Sequence, residues 1–326
     1  MPTHLNPNAV IECVPNYSEG KDEAKVASIV AAMQVEGVRL LDWSLDEAHN
    51  RSVVTIAGTP VGVFESAVRG AGRAAQLIDL TKQRGEHPRI GAADVIPFVP
   101  VSGASLAECA MLARQAGLEI WRRFGVPVYF YEAAAARPDR VNLEDVRRGQ
   151  FEGLLETAHR DTARRPDVGG PEIHPTAGAS AVGARSFLIA YNIYLESPKT
   201  AAQAGGGLPL AAQANIAAAR AVARAIRASA GGMHGVKAIG ANVNGRAQVS
   251  MNITDFRATP MSRVHDKVRE LARMHGAIAA EGEIIGLIPQ EAYDPAAEWL
   301  REIPNFDPEG KVLERRLEHP LPWPAG

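Results

Sequence analysis

The order of elements read from the sequence, strand-helix-strand-strand-helix-strand in each half, predicts an α/β (α+β) protein built from two ferredoxin-like subdomains. Three observations carry that expectation. Apolar, strand-like runs alternate with helical stretches that have one apolar face. The order recurs in the second half without any repeat of sequence, and a charged, proline-bearing segment joins the halves. Open sheet faces need cover, so the expected arrangement has the sheets facing each other, helices outside, and a ligand cleft between them. The expected division is an N-terminal tail 1–8, a first subdomain 9–180, a second 181–304 and a C-terminal tail 305–326.

In the first half, the apolar run 9–14 is a strand. Residues 22–35 form a helix, because charged and apolar residues are spaced for one buried face. Residues 38–42 and 52–57 are strands, 62–78 a second helix and 94–101 the closing strand. A helix over 106–124 and a strand over 126–131 extend this unit. The connecting segment 137–178 is too long to be structureless without a function, so 143–158 is assigned to helix and 161–178 stays irregular. In the second half, 186–194 is a strand and 211–229 a helix rich in Ala, Arg and Ile. Residues 236–241 and 247–253 form a hairpin, with Asn244-Gly245 as its turn signal. A helix over 261–275 and a strand over 279–287 complete the order. The Gly triplet within 204–208 is read as a mobile surface loop. The proline-bearing tail from 305 is read as extended on the surface or partly disordered.

Composition narrows the function classes. A chain of 326 residues with 46% hydrophobic content buries one large core or two moderate ones. A net charge of −2 argues against a nucleic-acid surface or a basic membrane-binding face. No apolar run approaches the ~20 residues that span a bilayer, and the first residues lack the pattern of a secretory signal. Only two cysteines are present, Cys13 and Cys109, too few for a disulfide framework or a metal pair. The expected compartment is a reducing cytoplasm.

The segment Gly85-Glu86-His87-Pro88-Arg89-Ile90-Gly91-Ala92-Ala93-Asp94 is the densest in chemistry. A histidine exchanges protons near neutral pH. Pro88 pushes His87 out of helical backbone and onto a stiff loop. The functional reading is an acid–base; the bland one is a loop histidine that caps or ion-pairs locally. A second cluster is Asp46-Glu47-Ala48-His49-Asn50-Arg51, at the turn between two strands. Read functionally, Arg51 pairs a substrate carboxylate and Asp46 holds a cation. Read blandly, it is a polar hairpin connection. The stretch Gly178-Ala179-Ser180-Ala181-Val182-Gly183 lacks the Lys-Ser/Thr of a phosphate loop, since Ala184-Arg185 follows. Neither a His-Glu-x-x-His pattern nor a Cys-His cluster is present, so no metal is expected. Of the other histidines, His174 is the one alternate, while His159, His234, His265, His275 and His319 are read as structural or surface residues.

Taken in order, Glu12-Cys13-Val14-Pro15-Asn16-Tyr17-Ser18-Glu19-Gly20, His49-Asn50-Arg51-Ser52-Val53, Gly85-Glu86-His87-Pro88-Arg89-Ile90-Gly91-Ala92, Gly125-Val126-Pro127-Val128-Tyr129, Pro166-Asp167, Gly183-Ala184-Arg185 and Asn192-Ile193 resemble the formiminotransferase family. That family is also found as the front part of formimidoyltransferase-cyclodeaminase. The resemblance covers nearly the whole chain. It implies two α/β subdomains with a folate-binding crevice, and transfer of a formimidoyl group from N-formimidoyl-L-glutamate to N5 of tetrahydrofolate, in histidine degradation. His87 matches the family's acid–base, with Glu86 or Asp94 as candidates to orient its ring. Asp46, Asn50, Arg51, Arg89 and Asn192 are the expected substrate-binding residues. Gly169, Pro175 and Gly178 coincide with the folate-binding segment, and Arg185 is assigned to the folate carboxylates. Some members carry an acidic residue where this chain has Ser44, so Asp46 or Asp42 takes that role. An aromatic residue of some members is Ala177 here, so stacking on the pterin comes from elsewhere. Tetrahydrofolate is thus a co-substrate, and the expected partners are small molecules, a second copy in a homodimer, and a separate cyclodeaminase. No deaminase activity is expected of this chain. The rival readings are formyl transfer between glutamate and 5-formyltetrahydrofolate on the same site, and a non-catalytic folate-binding module.

Overall fold

In the computed structural model, which describes residues 5–85, 87–197, 210–301, 303–304 and 306–325, the chain divides into two units. One is Met1–Ser186 with Pro320–Gly326, the other Phe187–His319.

The first unit is organised by one interrupted strand, β1 (Val10–Cys13) and β2 (Asn16–Tyr17). On one side it pairs antiparallel with β4 (Arg51–Gly58), which carries β3 (Val38–Asp46) at the edge. On the other it pairs antiparallel with β5 (Ala93–Ser102). Helix α1 (Glu23–Ala32) connects β2 to β3, and α2 (Pro60–Leu77) connects β4 to β5. Beyond β5 the sheet continues in parallel through β7 (Ser180–Ala184) to β6 (Val128–Glu132). Between β5 and β6 lies α3 (Leu106–Phe124).

Local signals explain the helix starts. The Asp22 carboxylate accepts from Lys25 N at 3.1 Å at the head of α1. Thr59 accepts from Gly62 N at 3.2 Å ahead of Pro60 in α2. Ser105 and Glu108 cap each other reciprocally at the head of α3. Each helix turns an apolar stripe to the sheet: Val26, Ile29 and Val30 from α1, Val63, Ala67 and Val68 from α2, Leu112, Ala116 and Ile120 from α3. They close on Ile11, Leu40, Ile56, Ile96, Phe98, Tyr129 and Val182 in one core. Each large apolar side chain buried this way contributes ~1.5–3 kcal/mol.

The second unit repeats the plan. Strand β8 (Ile189–Glu196) lies between β11 (Ile278–Ile285) and β10 (Arg246–Ile253), and β9 (Val236–Val243) is outermost, all antiparallel. Helix α6 (Leu210–Ile226) precedes β9, and α7 (Met261–Met274) precedes β11. The β9–β10 hairpin closes through Asn244 and Gly245, at φ of 50° and 83°, the two-residue turn that its sequence announces. Ile189, Tyr191, Ile193 and Leu195 alternate along β8 into a core with Ala219, Val222, Val249 and Val268.

Several expectations change. Residues 143–158 are two helices, α4 (Leu143–Val146) and α5 (Gln150–Thr157), separated at Gly149 with φ of 83°. Residues 180–184, given no element from the sequence, form the buried strand β7 and belong to the first unit. The tail is not simply extended. After α8 (Gln290–Tyr293) and α9 (Ala297–Leu300), two further short helices follow, α10 (Pro308–Lys311) and α11 (Leu313–Glu318). Asp307 caps α10 by accepting from Glu309 N and Gly310 N, and Val312 and Leu313 are buried. Leu321 then donates from its backbone N to Leu40 O at 2.8 Å on the β3 edge of the first unit. The Gly triplet within 204–208 lies outside the described residues.

Candidate active site

The turn between β3 and β4 is built on Asn50, at φ of 48°, a left-handed conformation that asparagine tolerates better than most residues. Its side chain ties three segments together. Oδ1 accepts from Gly20 N at 2.9 Å, and Nδ2 donates to Arg84 O at 2.9 Å and to Gln83 Oε1. The strap 80–85 passes so close that a Cβ on Gly85 would sit 2.3 Å from His49 O. The next residue, Arg51, opens β4 with its side chain turned inward and 9% exposed.

Arg51 meets the head of β5. Its Nε donates to Asn16 Oδ1 at 3.0 Å, and Nη1 donates to Asp94 Oδ2 at 2.8 Å. The same Nη1 lies 3.0 Å from His87 Nδ1. Asp94 is fully buried; its Oδ1 accepts from Ile90 N at 2.7 Å, and its Oδ2 accepts a second guanidinium, Nη2 of Arg147. Arg147 stands at the break between α4 and α5, and that break is what lets it reach the strand. The His87 Nδ1 also lies 2.8 Å from Pro88 O. An arginine always donates and a carbonyl always accepts, so one nitrogen cannot serve both. We assign the proton to Nδ1, bonded to Pro88 at the shorter distance, with Asp94 taking the Arg51 donor. Nε2 is then the free base nitrogen.

Electrostatics favour the neutral ring. Burial lowers the His87 pKa first, then the charges of Arg51 and Arg147, and together they outweigh Asp94 and Pro88 and bring it from 6.5 to about 3. Burial alone would raise the Asp94 carboxyl, but Arg147 and Arg51 overcome it and hold it at about 2. Burial and the facing Arg147 lower Arg51 to about 10, so it stays charged at neutral pH.

A stability consequence follows. The unfolded chain takes up a proton on His87 near 6.5, whereas the native site resists until about 3. Between these values the unfolded state binds more protons, so this contribution is complete above pH 6.5 and is lost as the pH falls toward 3. We expect the denaturation midpoint of His87→Gln to fall less between pH 7 and 4.5 than that of the parent chain. Parallel curves would contradict the assignment.

The other expected residues fall into distinct places. The Asp46 carboxylate accepts from His49 N at 2.9 Å and pairs with His49 Nδ1 at 2.6 Å, and the His49 ring stands edge-on to His87 at 6.0 Å. Arg89 is buried, with Nη1 and Nη2 on the two oxygens of Glu152 at 3.2 and 2.9 Å and Nη2 on the carbonyls of Leu80 and Gln83. Its guanidinium therefore braces the loop that carries His87. Gly178, at φ of 68°, has no room for a side chain: a Cβ would meet Ile90 O at 2.1 Å. The turn around Pro175 is closed by mutual His174–Gly178 backbone bonds, and Ala177 O accepts from Ala92 N at 2.9 Å. The 174–178 turn and the histidine loop are thus laced together. Gly169 packs on Trp121. Arg185, at the end of β7, donates from its backbone to Phe98 O at 3.1 Å and from Nη1 to Ser186 O at 3.0 Å. Asn192 belongs to the second unit, where Nδ2 donates to Glu283 Oε1 at 3.0 Å beside Tyr194 and Gln248.

Of the residues proposed to orient the ring, Asp94 reaches it only through Arg51, and Glu86 lies outside the described residues. The sequence reading missed Arg147, whose only advance signal was its place in a charged stretch of the connecting segment. Among the described residues no group of three or more His, Cys, Asp or Glu side chains is placed to hold a metal ion. Nor, among the described residues, is any helix long and apolar enough to cross a membrane.

The family described as formiminotransferase domain, N-terminal subdomain matches residues 10–185, and the formiminotransferase domain matches residues 190–315. A glutamate formimidoyltransferase of Thermoplasma acidophilum is 39% identical over 95% of this chain and 98% of its own length. One from Streptococcus pyogenes is 40% identical over 94% and 98%. A formimidoyltransferase-cyclodeaminase of Mus musculus is 44% identical over 58% of this chain and 35% of its own.

Proposed function

The chain belongs to the formiminotransferase family, and from that premise we propose that it transfers the formimidoyl group of N-formimidoyl-L-glutamate to N5 of tetrahydrofolate. The enzyme is a glutamate formimidoyltransferase in the sense of its full-length relatives, and tetrahydrofolate is its co-substrate. The observation that carries the mechanism is the placement of the His87 imidazole, on a braced loop beside a buried Arg51–Asp94–Arg147 cluster.

The chemistry asks for one group that both takes and gives a proton. N5 attacks the amidine carbon and forms a tetrahedral centre bearing three nitrogens. The attacking nitrogen must lose its proton, and the departing glutamate nitrogen must gain one, because an amide anion does not leave. His87 Nε2 takes the first proton and returns it to the leaving nitrogen, while Nδ1–H stays on Pro88 O. Arg51 faces a donor carboxylate, and Asp46 with Asn50 borders the cationic amidinium. Arg89 serves by fixing the loop. Gly169, Pro175 and Gly178 frame the pterin with backbone groups, Arg185 meets folate carboxylates, and Asn192 is read as a further substrate-binding residue.

The ferredoxin-like plan is the fold reading that goes with this. It is supported by the strand orders β3-β4-β1-β5 and β11-β8-β10-β9, each with two crossover helices. In the same reading the enzyme works as a homodimer in the cytoplasm, which suits two buried free thiols. It uses no metal, and a separate cyclodeaminase consumes its product.

The rival is formyl transfer, since formamide and amidine differ by one nitrogen for oxygen. A cationic amidinium suits the Asp46 side of the site, and a neutral formamide gains nothing from it. We therefore expect kcat/KM with N-formimidoyl-L-glutamate to exceed that with N-formyl-L-glutamate by ~10-fold or more, the value of one charge-assisted hydrogen bond. Equal values, or a preference for the formyl donor, would replace the reading by its rival.

A further inference from the structure

We propose that Arg147, together with Arg51, is the seat for a carboxylate of the formimidoyl donor, next to His87. The inference rests on the formimidoyl-transfer reading and adds to it a binding residue.

The first observation is a charge imbalance. Asp94 Oδ1 is taken by Ile90 N, and Oδ2 alone serves both Arg51 Nη1 and Arg147 Nη2. Two guanidinium groups on one carboxylate leave a surplus positive charge, where the arginine side chains are only 10% and 13% exposed. Burying an unbalanced charge is costly unless a partner arrives. The second observation is independent. Nε of Arg147 is buried with no hydrogen-bond partner among the described residues. Buried donors are ordinarily satisfied, and an orphan beside a surplus cation marks a place for an anionic acceptor. A planar guanidinium favours a carboxylate, which it binds through two parallel N–H groups. The donor, an N-substituted glutamate, brings two carboxylates.

The other charged groups around His87 leave no better candidate. Asp46 is paired with His49, Arg89 with Glu152, and Asp94 is spent on the arginines. Burial keeps the Tyr131 phenol protonated. A carboxylate docked on Arg51 and Arg147 cancels the charge that opposes protonation of His87. This raises the His87 pKa toward its ordinary value when the donor is bound, while burial, the larger cause of the lowering, remains.

The test uses the full chain and the variants Arg147→Gln and Arg147→Lys, with donor and tetrahydrofolate varied separately. His87 is followed by NMR titration with and without L-glutamate. We expect Arg147→Gln to raise the donor KM ~10- to 100-fold and to leave the tetrahydrofolate KM within twofold, with Arg147→Lys recovering part of the loss. L-Glutamate should move the His87 titration upward in the parent chain and much less in Arg147→Gln. A donor KM within twofold of the parent, or a rise confined to tetrahydrofolate, overturns the inference while leaving formimidoyl transfer intact. Absence of any shift with L-glutamate in the parent also overturns it. If the parent chain is inert with both substrates yet L-glutamate still shifts His87 in an Arg147-dependent way, the carboxylate seat stands and the transfer reading fails.

Discussion

The His87→Ala variant is expected to lose ~10²–10⁴-fold in kcat, the usual value of a positioned acid–base, with both KM values changed little. His87 lies on a loop outside the core, and its ring touches Arg51, Pro88 O and the edge of His49. None of these contacts holds the loop in place. That work is done by Arg89 on Glu152, by Asn50 on Arg84 O, and by the backbone bonds to the 174–178 turn. Removing the imidazole should therefore leave the site's shape standing and take away only the proton carrier. The variant should stay folded at neutral pH, with a stability loss of about 0.5–3 kcal/mol, the usual range for a single substitution. A variant that keeps most of its kcat would show that the proton moves by another route. One that loses substrate binding along with rate would recast His87 as a binding group.

The second large effect is on stability. Asp94→Asn is expected to cost ~3–5 kcal/mol, the range for breaking a buried ion pair by removing one partner. Asparagine keeps the shape of the side chain and can still accept from Ile90 N. What it loses is the charge that holds Arg51 and Arg147 together, and two guanidinium groups then face each other with only a neutral amide between them. The same change removes the one carboxylate that favours protonation of His87, so activity should fall with stability. Urea denaturation of the two chains at pH 7 measures the difference. A change below about 1 kcal/mol would mean that water already compensates these arginines, and the picture of a dry, charge-surplus site would have to go.

How much of this was written in the sequence varies with the physics of each part. Helices with an apolar stripe and a cap were legible: the reading of 106–124 coincides with α3, and the Asn244-Gly245 turn fixed its hairpin. Strand β7 was not. Ser180, Ala181, Val182, Gly183 and Ala184 are small because both faces of that strand are buried between parallel neighbours, and small residues in a row resemble a loop. The tail was misread because prolines were taken as signs of extension, whereas Pro308 starts a helix capped by Asp307. At the site, His87 and Arg51 announced themselves through dense local motifs. Arg147 did not, because its partner Asp94 is 53 residues away and only the Gly149 break aims it there. Local chemistry can be read from local sequence; a charge balance closed over long range requires the fold.

In this reading the chain carries a formimidoyl group from glutamate nitrogen to folate nitrogen with His87 moving the proton. The most direct measurement supplies N-formimidoyl-L-glutamate, labelled with ¹³C at the amidine carbon, and tetrahydrofolate to the parent chain and to His87→Ala. The fate of the label is then followed by NMR. The label should appear on N5 of tetrahydrofolate with release of unlabelled glutamate in the parent, and ~10²-fold or more slowly in the variant. Label that stays on glutamate in the parent chain, with both substrates saturating, would contradict it.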